Sequence, residues 1–265
     1  MNRALFFSDP AFHLFAQVYF FLLGTIVGSF LNVCIYRIPR RQSIVAPRSR
    51  CPQCQTPIPW HQNIPLLSWV LLAGRCAKCK TPISPVYPIV ELITGLFFWL
   101  LYRYYGISLA MLIYAVFGGS TIVLIFVDYY HRLLPAVITF PGVALGVISS
   151  FLNPFVTSRD SLLGLVVGGL IPALAMWIFR VVRKKEGLGH GDIVMLAMVG
   201  AFLGWQQVLL VLFLSSLIGS IIGGIVIFVL KKGRDFMLPF GSFIGVAALF
   251  AVFWGRDLWL LYINR

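Results

Sequence analysis

Two aspartates stand beside apolar stretches of the chain, where an ionised side chain is costly. Asp128 ends one such stretch, directly after Phe126 and Val127, and Asp192 begins another. Plainer roles exist for each: Asp192 as a helix cap, and Asp128 as an interfacial residue paired with Arg132. Two carboxylates brought together share a proton, so one acts as a base on water and the other as an acid. As a pair they indicate peptide hydrolysis without a metal or a covalent intermediate.

Alternating glycines precede the second aspartate. Gly187, Gly189 and Gly191 occupy every second position before Asp192. Backbone without Cβ atoms can pack closely or adopt positive φ there, and a helix cap does not need such a run. We therefore expect Gly189 and Gly191 to form a loop that supports an active site.

Four cysteines in two CxxC pairs form the strongest local motif. Cys51 and Cys54 make one pair and Cys76 and Cys79 the other, with 21 residues between the pairs. This spacing is typical of structural zinc held by four thiolates, because each pair turns back so that both sulfurs face one ion. Iron in a rubredoxin-like site and two disulfides are the alternatives, and a reducing compartment disfavours disulfides. Since the surrounding segment has few aliphatic residues, metal binding would supply its folding free energy.

The composition requires a membrane around these residues. Hydrophobic residues make up 60% of the 265-residue chain, against about 45–50% in soluble domains, and only 8 residues are acidic. We predict an all-α polytopic membrane protein with eight transmembrane helices, or seven because the sixth is short. The predicted spans are Phe15–Ile35, Ile89–Tyr105, Leu109–Val127, Pro135–Phe151, Leu162–Val182, Asp192–Leu203, Val208–Leu230 and Leu238–Tyr262.

A polar, basic segment interrupts the spans. It predicts three parts: a first transmembrane span (1–36), a cytoplasmic, zinc-ribbon-like loop domain with the four cysteines (37–87) and a transmembrane aspartic peptidase domain (88–265). With the amino terminus outside, most of the 21 Lys and Arg residues fall in loops on one side, which the positive-inside rule assigns to the cytoplasm. Both aspartates fall on that side. Anionic lipid headgroups then explain the net charge of +13 without a nucleic acid partner. No internal repeat with a period of 20–50 residues is apparent.

The motifs occur in an order that resembles one family. They are Gly28–Val33 with Tyr36–Pro39, the four cysteines, Asn63–Pro65 with Ser68 and Trp69, Tyr87–Glu91, the Asp128 segment to Pro135, and Gly189–Asp192. In this order and spacing the chain resembles the type IV prepilin peptidases. These are GxGD-type aspartic proteases, bifunctional leader peptidase/N-methyltransferases of pilus and type II secretion systems.

The resemblance implies a site, substrates and a location. Asp128 and Asp192 map onto the catalytic pair of the family. The substrate is a prepilin or pseudopilin, cut on the cytoplasmic side of the bacterial inner membrane after the Gly that ends its leader. The new amino terminus, usually Phe, is then methylated with S-adenosylmethionine, an activity associated with the cysteine-bearing loop. No methyl-donor residue is assigned; Glu91 is a candidate, and its plainer role is a buried acid paired with a loop arginine.

Other functions predict different features. Peptidase activity without methyl transfer is the nearest alternative. A presenilin-like GxGD protease would place its acids deeper in the bilayer and would not need the cysteine loop. A transporter predicts acids deep within the spans and repeated halves. A non-enzymatic scaffold with a zinc-ribbon docking loop predicts that both aspartates tolerate Ala.

Overall fold

The structure is a computed structural model that describes residues 10–184, 189–229, 231 and 238–263. Every regular element in these residues is helical, and extended backbone pairs only at two isolated bridges. The described chain contains the α-helices α1 (Pro10–Arg37), α2 (Leu67–Leu71), α3 (Val86–Tyr105), α4 (Leu109–His131), α5 (Ala136–Ser149), α6 (Ser158–Arg183), α7 (His190–Leu203), α8 (Trp205–Phe228) and α9 (Phe240–Ile263). They belong to two compact units, residues 1–111 and 112–265.

Each of the eight predicted spans coincides with an apolar helix, which confirms the all-helical membrane fold. Six helices of the described chain are long and apolar enough to cross a bilayer: α1, α3, α4, α6, α8 and α9. The other two, α5 and α7, have 14 residues each. At 1.5 Å per residue such a helix is about 21 Å long, short of the roughly 30 Å hydrocarbon core. Large apolar side chains such as Leu170 and Ile221 stay exposed on the helix surfaces, where lipid must solvate them.

In the first unit, α1 and α3 pack closely at glycines. A Cβ atom at Gly24 would lie 2.7 Å from Cβ of Phe98, and one at Gly28 would lie 2.7 Å from Cα of Glu91. Contacts this short are available only to glycine, so the backbones of the two helices approach more closely than larger side chains allow. The contact at Gly28 places Glu91 directly against α1.

The two cysteine knuckles have the same backbone structure. In each, the N–H of the first cysteine donates to the carbonyl of the threonine five residues later, Thr56 at 3.0 Å and Thr81 at 2.9 Å. The sequence Arg-Cys-x-x-Cys-x-Thr-Pro-Ile begins at position 50 and again at position 75, a period of 25 residues. The expectation of no internal repeat is therefore wrong, because a nine-residue repeat is too short to stand out in a search for repeated domains.

In the second unit the short helix α7 occupies the centre. It packs against α5, α6, α8 and α9, and its residues Met195, Leu196 and Val199 have no exposed surface. On the α6 side, a Cβ at Gly164 would collide with the backbone of Gly200. The helix ends at Gly204, which adopts a φ of 85° and turns the chain into α8, so the predicted break at this residue is confirmed. α7 is short and apolar on all sides because other helices surround it.

Candidate active site and metal centre

Asp128 lies in the last turn of α4 and is 5% exposed. Its Oδ2 atom accepts hydrogen bonds from the backbone N–H of Ser242 at 2.7 Å and from the Ser242 hydroxyl at 3.0 Å. Ser242 is in the first turn of α9, where backbone N–H groups have no partner within the helix. The start of α9 therefore supplies the donor that holds this carboxylate.

Asp192 lies in the first turn of α7 and is 8% exposed. Its Oδ2 atom accepts the backbone N–H of Gly189 at 3.1 Å, and its own N–H donates to the Gly189 carbonyl at 3.1 Å. The bond from the Gly189 N–H to the Asp192 carboxylate is one half of a capping box, since glycine has no side chain to accept in return. The plainer role of Asp192 as a helix cap therefore accounts for one of its two oxygens. Gly189 precedes α7, but Gly191 lies in the first turn of the helix, so the expectation that both glycines form a loop is wrong for Gly191. Gly187 lies outside the described residues.

Leu134 connects the surroundings of the two aspartates. A Cβ atom at Gly191 would lie 2.8 Å from Cβ of Leu134, and one at Gly241 would lie 2.9 Å from Cδ1 of the same leucine. The Gly241 position is also 3.1 Å from Cγ of Asp128. The carboxylates of Asp128 and Asp192 are near enough to act on each other electrostatically. Leu134, in the segment that follows α4, thus lies between the first turn of α7 and the first turn of α9.

This arrangement leaves one oxygen of each carboxylate for chemistry. Within the described residues, hydrogen bonds to Asp128 and Asp192 engage Oδ2 alone. Each side chain is thereby fixed in orientation by a backbone N–H group, which does not change with protonation state. Two oriented carboxylates whose neighbouring glycines contact the same leucine are suited to hold a water molecule and to divide the roles of base and acid.

Three contributors to this site were not predicted. Ser242, Gly241 and Leu134 contact the aspartates or the glycines beside them. Leu134 was noted only as part of the Asp128 segment. Gly241 and Ser242 are two small residues at the start of an apolar span, and nothing in that pattern by itself points to an aspartate. A search that starts from acids and cysteines does not find them.

The four cysteines form a single cluster. Their Sγ atoms all lie within 4.8 Å of one another, and those of Cys51 and Cys79 are 3.7 Å apart. Tetrahedral zinc with bonds of about 2.3 Å requires sulfurs about 3.8 Å apart, so this cluster fits the ion. All four thiols are free of disulfides. The geometry therefore supports a metal site with four thiolate ligands and excludes the alternative of two disulfides in this structure.

Threonine hydroxyls lower the pKa of two of these thiols, which favours the thiolate form that binds a metal ion. The Thr81 hydroxyl lies 3.2 Å from Sγ of Cys79 and, with the backbone of Thr81, lowers the pKa of Cys79 to about 6. Thr56 likewise lowers the pKa of Cys54. For Cys51, backbone hydrogen bonds from the Cys54 turn lower the pKa, but burial and the neighbouring thiols raise it to about 11. The raised pKa favours the protonated thiol of Cys51, and a metal ion that bound to the cluster would displace this proton.

Comparison with known sequences identifies the family of the chain. Residues 22–105 match the profile described as the bacterial peptidase A24 N-terminal domain, and residues 115–224 match the type IV leader peptidase family. The chain belongs to the type IV leader peptidase family. The first match contains all four cysteines, and the second contains both aspartates. No solved structure matches the chain.

Curated members of the family resemble the chain over most of its length. A prepilin leader peptidase/N-methyltransferase of Myxococcus xanthus is 43% identical over 82% of the chain, which spans 64% of that relative. A protein of the same name from Pseudomonas putida is 35% identical over 90% of both chains. Another from Stutzerimonas stutzeri is 34% identical over 97% of this chain and 96% of its own. The resemblance found from the motifs is thereby confirmed.

Proposed function

We propose that the chain is a membrane aspartic endopeptidase that removes the leader of prepilins or pseudopilins, and that Asp128 and Asp192 are its catalytic residues. The observation that carries the proposal is the pair of buried, backbone-anchored carboxylates on the ends of two different helices. One carboxylate takes a proton from water as it attacks the scissile carbonyl, and the other donates a proton to the departing amine. The names of the curated relatives supply the substrate class.

The proposal includes a second activity, methylation of the new amino terminus with S-adenosylmethionine. In that reaction the carbon–sulfur bond breaks with its electrons on sulfur, the amine lone pair forms the carbon–nitrogen bond, and the amine loses a proton. The four-cysteine cluster would hold structural zinc and fold the loop segment that accompanies this activity. The relatives are named for both activities.

The proposed location is the bacterial inner membrane, with the aspartate pair at the cytoplasmic face. The excess of Lys and Arg in the loops on that side supports this orientation. Membrane lipids and prepilins are then the partners, and no nucleic acid is required. A substrate with a short cytoplasmic leader and a following apolar segment would reach carboxylates at the ends of helices more easily than carboxylates in the middle of the bilayer.

The decisive test is mass spectrometry of a prepilin amino terminus after incubation with the purified protein and S-adenosylmethionine. Wild type is compared with Asp128→Ala, Asp192→Ala and the double variant Cys51→Ser/Cys54→Ser. We expect a shortened, methylated product that disappears with either aspartate change, and a shortened, unmethylated product from the cysteine variant. Unmethylated product from wild type would reduce the function to peptidase alone. No cleavage by folded wild-type protein would refute the proposal and favour a transporter or a scaffold.

A further inference from the structure

The cysteine-bearing segment contains one strongly apolar stretch, which lies between the two cysteine knuckles. Positions 64–73 read Ile-Pro-Leu-Leu-Ser-Trp-Val-Leu-Leu-Ala and carry no charge. The short helix α2 forms the centre of this stretch. Aliphatic side chains in a loop surrounded by water are usually buried, so the two faces of α2 show what this stretch contacts.

One face of α2 is directed into the first unit. The Ser68 hydroxyl accepts the backbone N–H of Ile64 at 2.9 Å, and the Trp69 indole N–H donates to the carbonyl of Ile83 at 3.2 Å. Both side chains line a cavity of about 1400 Å³, which is also lined by residues of α1 and by Glu91 of α3. These contacts fix which side of α2 faces the rest of the unit.

The opposite face of α2 is apolar and exposed. Leu67, Val70 and Leu71 are 51%, 66% and 74% exposed, and none of them lines the cavity. Residues at positions i, i+3 and i+4 of a helix lie on the same side. The three side chains therefore form one apolar surface, which is directed away from the unit.

A hydrogen bond fixes the level of α2 along the neighbouring spans. The backbone N–H of Leu66, directly before α2, donates to a carboxyl oxygen of Glu91 at 2.8 Å. α3 begins at Val86, and at 1.5 Å per residue Glu91 lies about 7.5 Å along this helix. On α1 the same level is that of Gly28, where a Cβ would lie 2.7 Å from Cα of Glu91, and α1 continues from there to Arg37. α2 therefore begins beside the spans and not beyond their ends.

Glu91 anchors this stretch of chain instead of pairing with a loop arginine. Leu66 adopts a φ of 61°, which is strained for a residue with a side chain, and the hydrogen bond to Glu91 helps to hold that conformation. The other hydrogen-bond partner of the Glu91 carboxyl group is Ser29. No arginine of the described chain is among its partners, so the expected pairing is not observed.

The surroundings indicate that lipid covers the apolar face of α2. Ile89 and Leu92, on either side of this level of α3, are 44% and 43% exposed, and α3 is long and apolar enough to cross a bilayer. A lipid-facing surface is thus already present where α2 begins. The segment 37–87 contains Lys and Arg but no Asp or Glu, and this charge complements anionic headgroups. An apolar helix face within a basic segment is typical of an element that lies in the membrane interface.

We propose that α2 is an interfacial membrane element. Its face of Leu67, Val70 and Leu71 inserts among the acyl chains of the adjacent leaflet, and the basic residues of the segment contact anionic headgroups there. Insertion gives the cysteine-bearing segment a third contact with the bilayer, besides α1 and α3, and holds it against the membrane surface. The inference requires only the membrane fold and neither of the proposed activities.

The test locates α2 in nanodiscs that contain the full-length, zinc-loaded protein. A fluorescent amino acid replaces Leu71, Leu92 as a lipid-facing control, or Gln53, which is exposed in the first knuckle, as a control in water. Quenching by lipids with brominated acyl chains is measured for each. We expect quenching at Leu71 to approach that at Leu92 and to exceed that at Gln53 about threefold, because only inserted side chains meet the bromine atoms. Unchanged zinc content shows that each labelled protein is folded.

Two outcomes of this measurement would refute the proposal. Quenching at Leu71 as weak as that at Gln53, with emission typical of water, would show that α2 stays in solution. Emission typical of an apolar environment without quenching would show that protein covers the face, either the second unit or another copy of the chain.

Two comparisons test the apolar and the electrostatic contacts separately, both with the label at Leu71. Val70→Asp should reduce quenching about twofold or more, because a carboxylate is costly among acyl chains, whereas Gln53→Asp should leave it unchanged. Unchanged quenching in Val70→Asp would contradict insertion of this face. Nanodiscs that contain phosphatidylglycerol should give stronger quenching than nanodiscs of phosphatidylcholine alone, and equal quenching in the two would refute the contact with anionic headgroups.

Discussion

The four-cysteine cluster and the aspartate pair are assembled in opposite ways. All four cysteines lie between positions 51 and 79, and each knuckle is closed by hydrogen bonds among its own residues. The aspartates are 64 positions apart, at 128 and 192, and Asp128 is held by Ser242 from a third helix. The cluster is built from local turns, whereas the aspartate pair is built from the packing of α4, α7 and α9.

This difference determines what each site depends on. The cysteine segment has little apolar core, so a metal ion bound to the cluster would supply much of its folding free energy. Near the aspartates, glycines of α7 and α9 pack against side chains of α4 and of the segment after it, so the geometry of the pair depends on the space between helices. Changes in one site should therefore leave the other intact, and four predictions follow this separation from the largest expected effect to the smallest.

Replacing either aspartate by asparagine should nearly abolish cleavage. Asp128→Asn and Asp192→Asn keep the side-chain shape and the Oδ acceptor for the backbone N–H, but they remove the proton-transferring group. General acid–base catalysis contributes about 10²–10⁴-fold, so we expect a loss of that order in the cleavage rate of a prepilin. Zinc content and melting temperature should match wild type. Cleavage within threefold of wild type by either variant would contradict the catalytic assignment.

Removing the metal should unfold the cysteine segment and spare the aspartate pair. A chelator or Cys76→Ser/Cys79→Ser should make residues 37–87 sensitive to limited proteolysis, because four thiolates without a cation do not hold the two knuckles together. Cleavage of the prepilin leader should continue, and methylation should stop. A metal-free protein with a protected segment would show that packing, rather than the ion, stabilises the knuckles.

Adding one methyl group beside Asp128 should slow cleavage about tenfold. A Cβ at Gly241 would lie 3.1 Å from Cγ and Oδ2 of Asp128, so Gly241→Ala must displace the carboxylate by a few tenths of an ångström. Misplacement by 1 Å costs about 10²-fold in rate. Gly224→Ala is the matched control, since it is the same substitution within a helix and a Cβ there meets nothing within 4 Å. Equal cleavage rates for the two variants would contradict the steric explanation.

Removing the Ser242 hydroxyl should have the smallest effect. Ser242→Ala deletes the hydroxyl, which lies 3.0 Å from Oδ2 of Asp128 and 2.9 Å from the carbonyl oxygen of Ile125, but keeps the 2.7 Å bond from the backbone N–H to Asp128. One hydrogen bond contributes about 0.5–1.5 kcal/mol, so we expect the cleavage rate to fall a few-fold. Ser215→Ala, which removes a buried hydroxyl bonded to Leu212 in its own helix, should leave the rate unchanged. A hundredfold loss in Ser242→Ala would give the hydroxyl a role in proton transfer.

Much of the fold was predictable because a bilayer imposes strong constraints on sequence. A spanning helix must be apolar over about 20 residues, so hydrophobicity alone located all eight apolar helices. Hydrophobicity did not distinguish the membrane-spanning helices from α7, which is apolar because protein surrounds it. Ser242 was not predicted for a related reason. Nothing near it in sequence indicates that its N–H group faces a carboxylate 114 positions earlier.

The sequence by itself determined the class of protein, the positions of its helices, the four cysteines that form the cluster and the two aspartates proposed as catalytic. These features depend on residue type and short-range spacing, and they require no knowledge of which helices touch. Tertiary structure decided the rest: which oxygen of each aspartate is anchored, that Leu134 lies between the glycines, and that Glu91 faces a cavity. Those properties arise from helix packing at distances of about 3 Å, and residues far apart in the chain meet only when the whole helix bundle has formed.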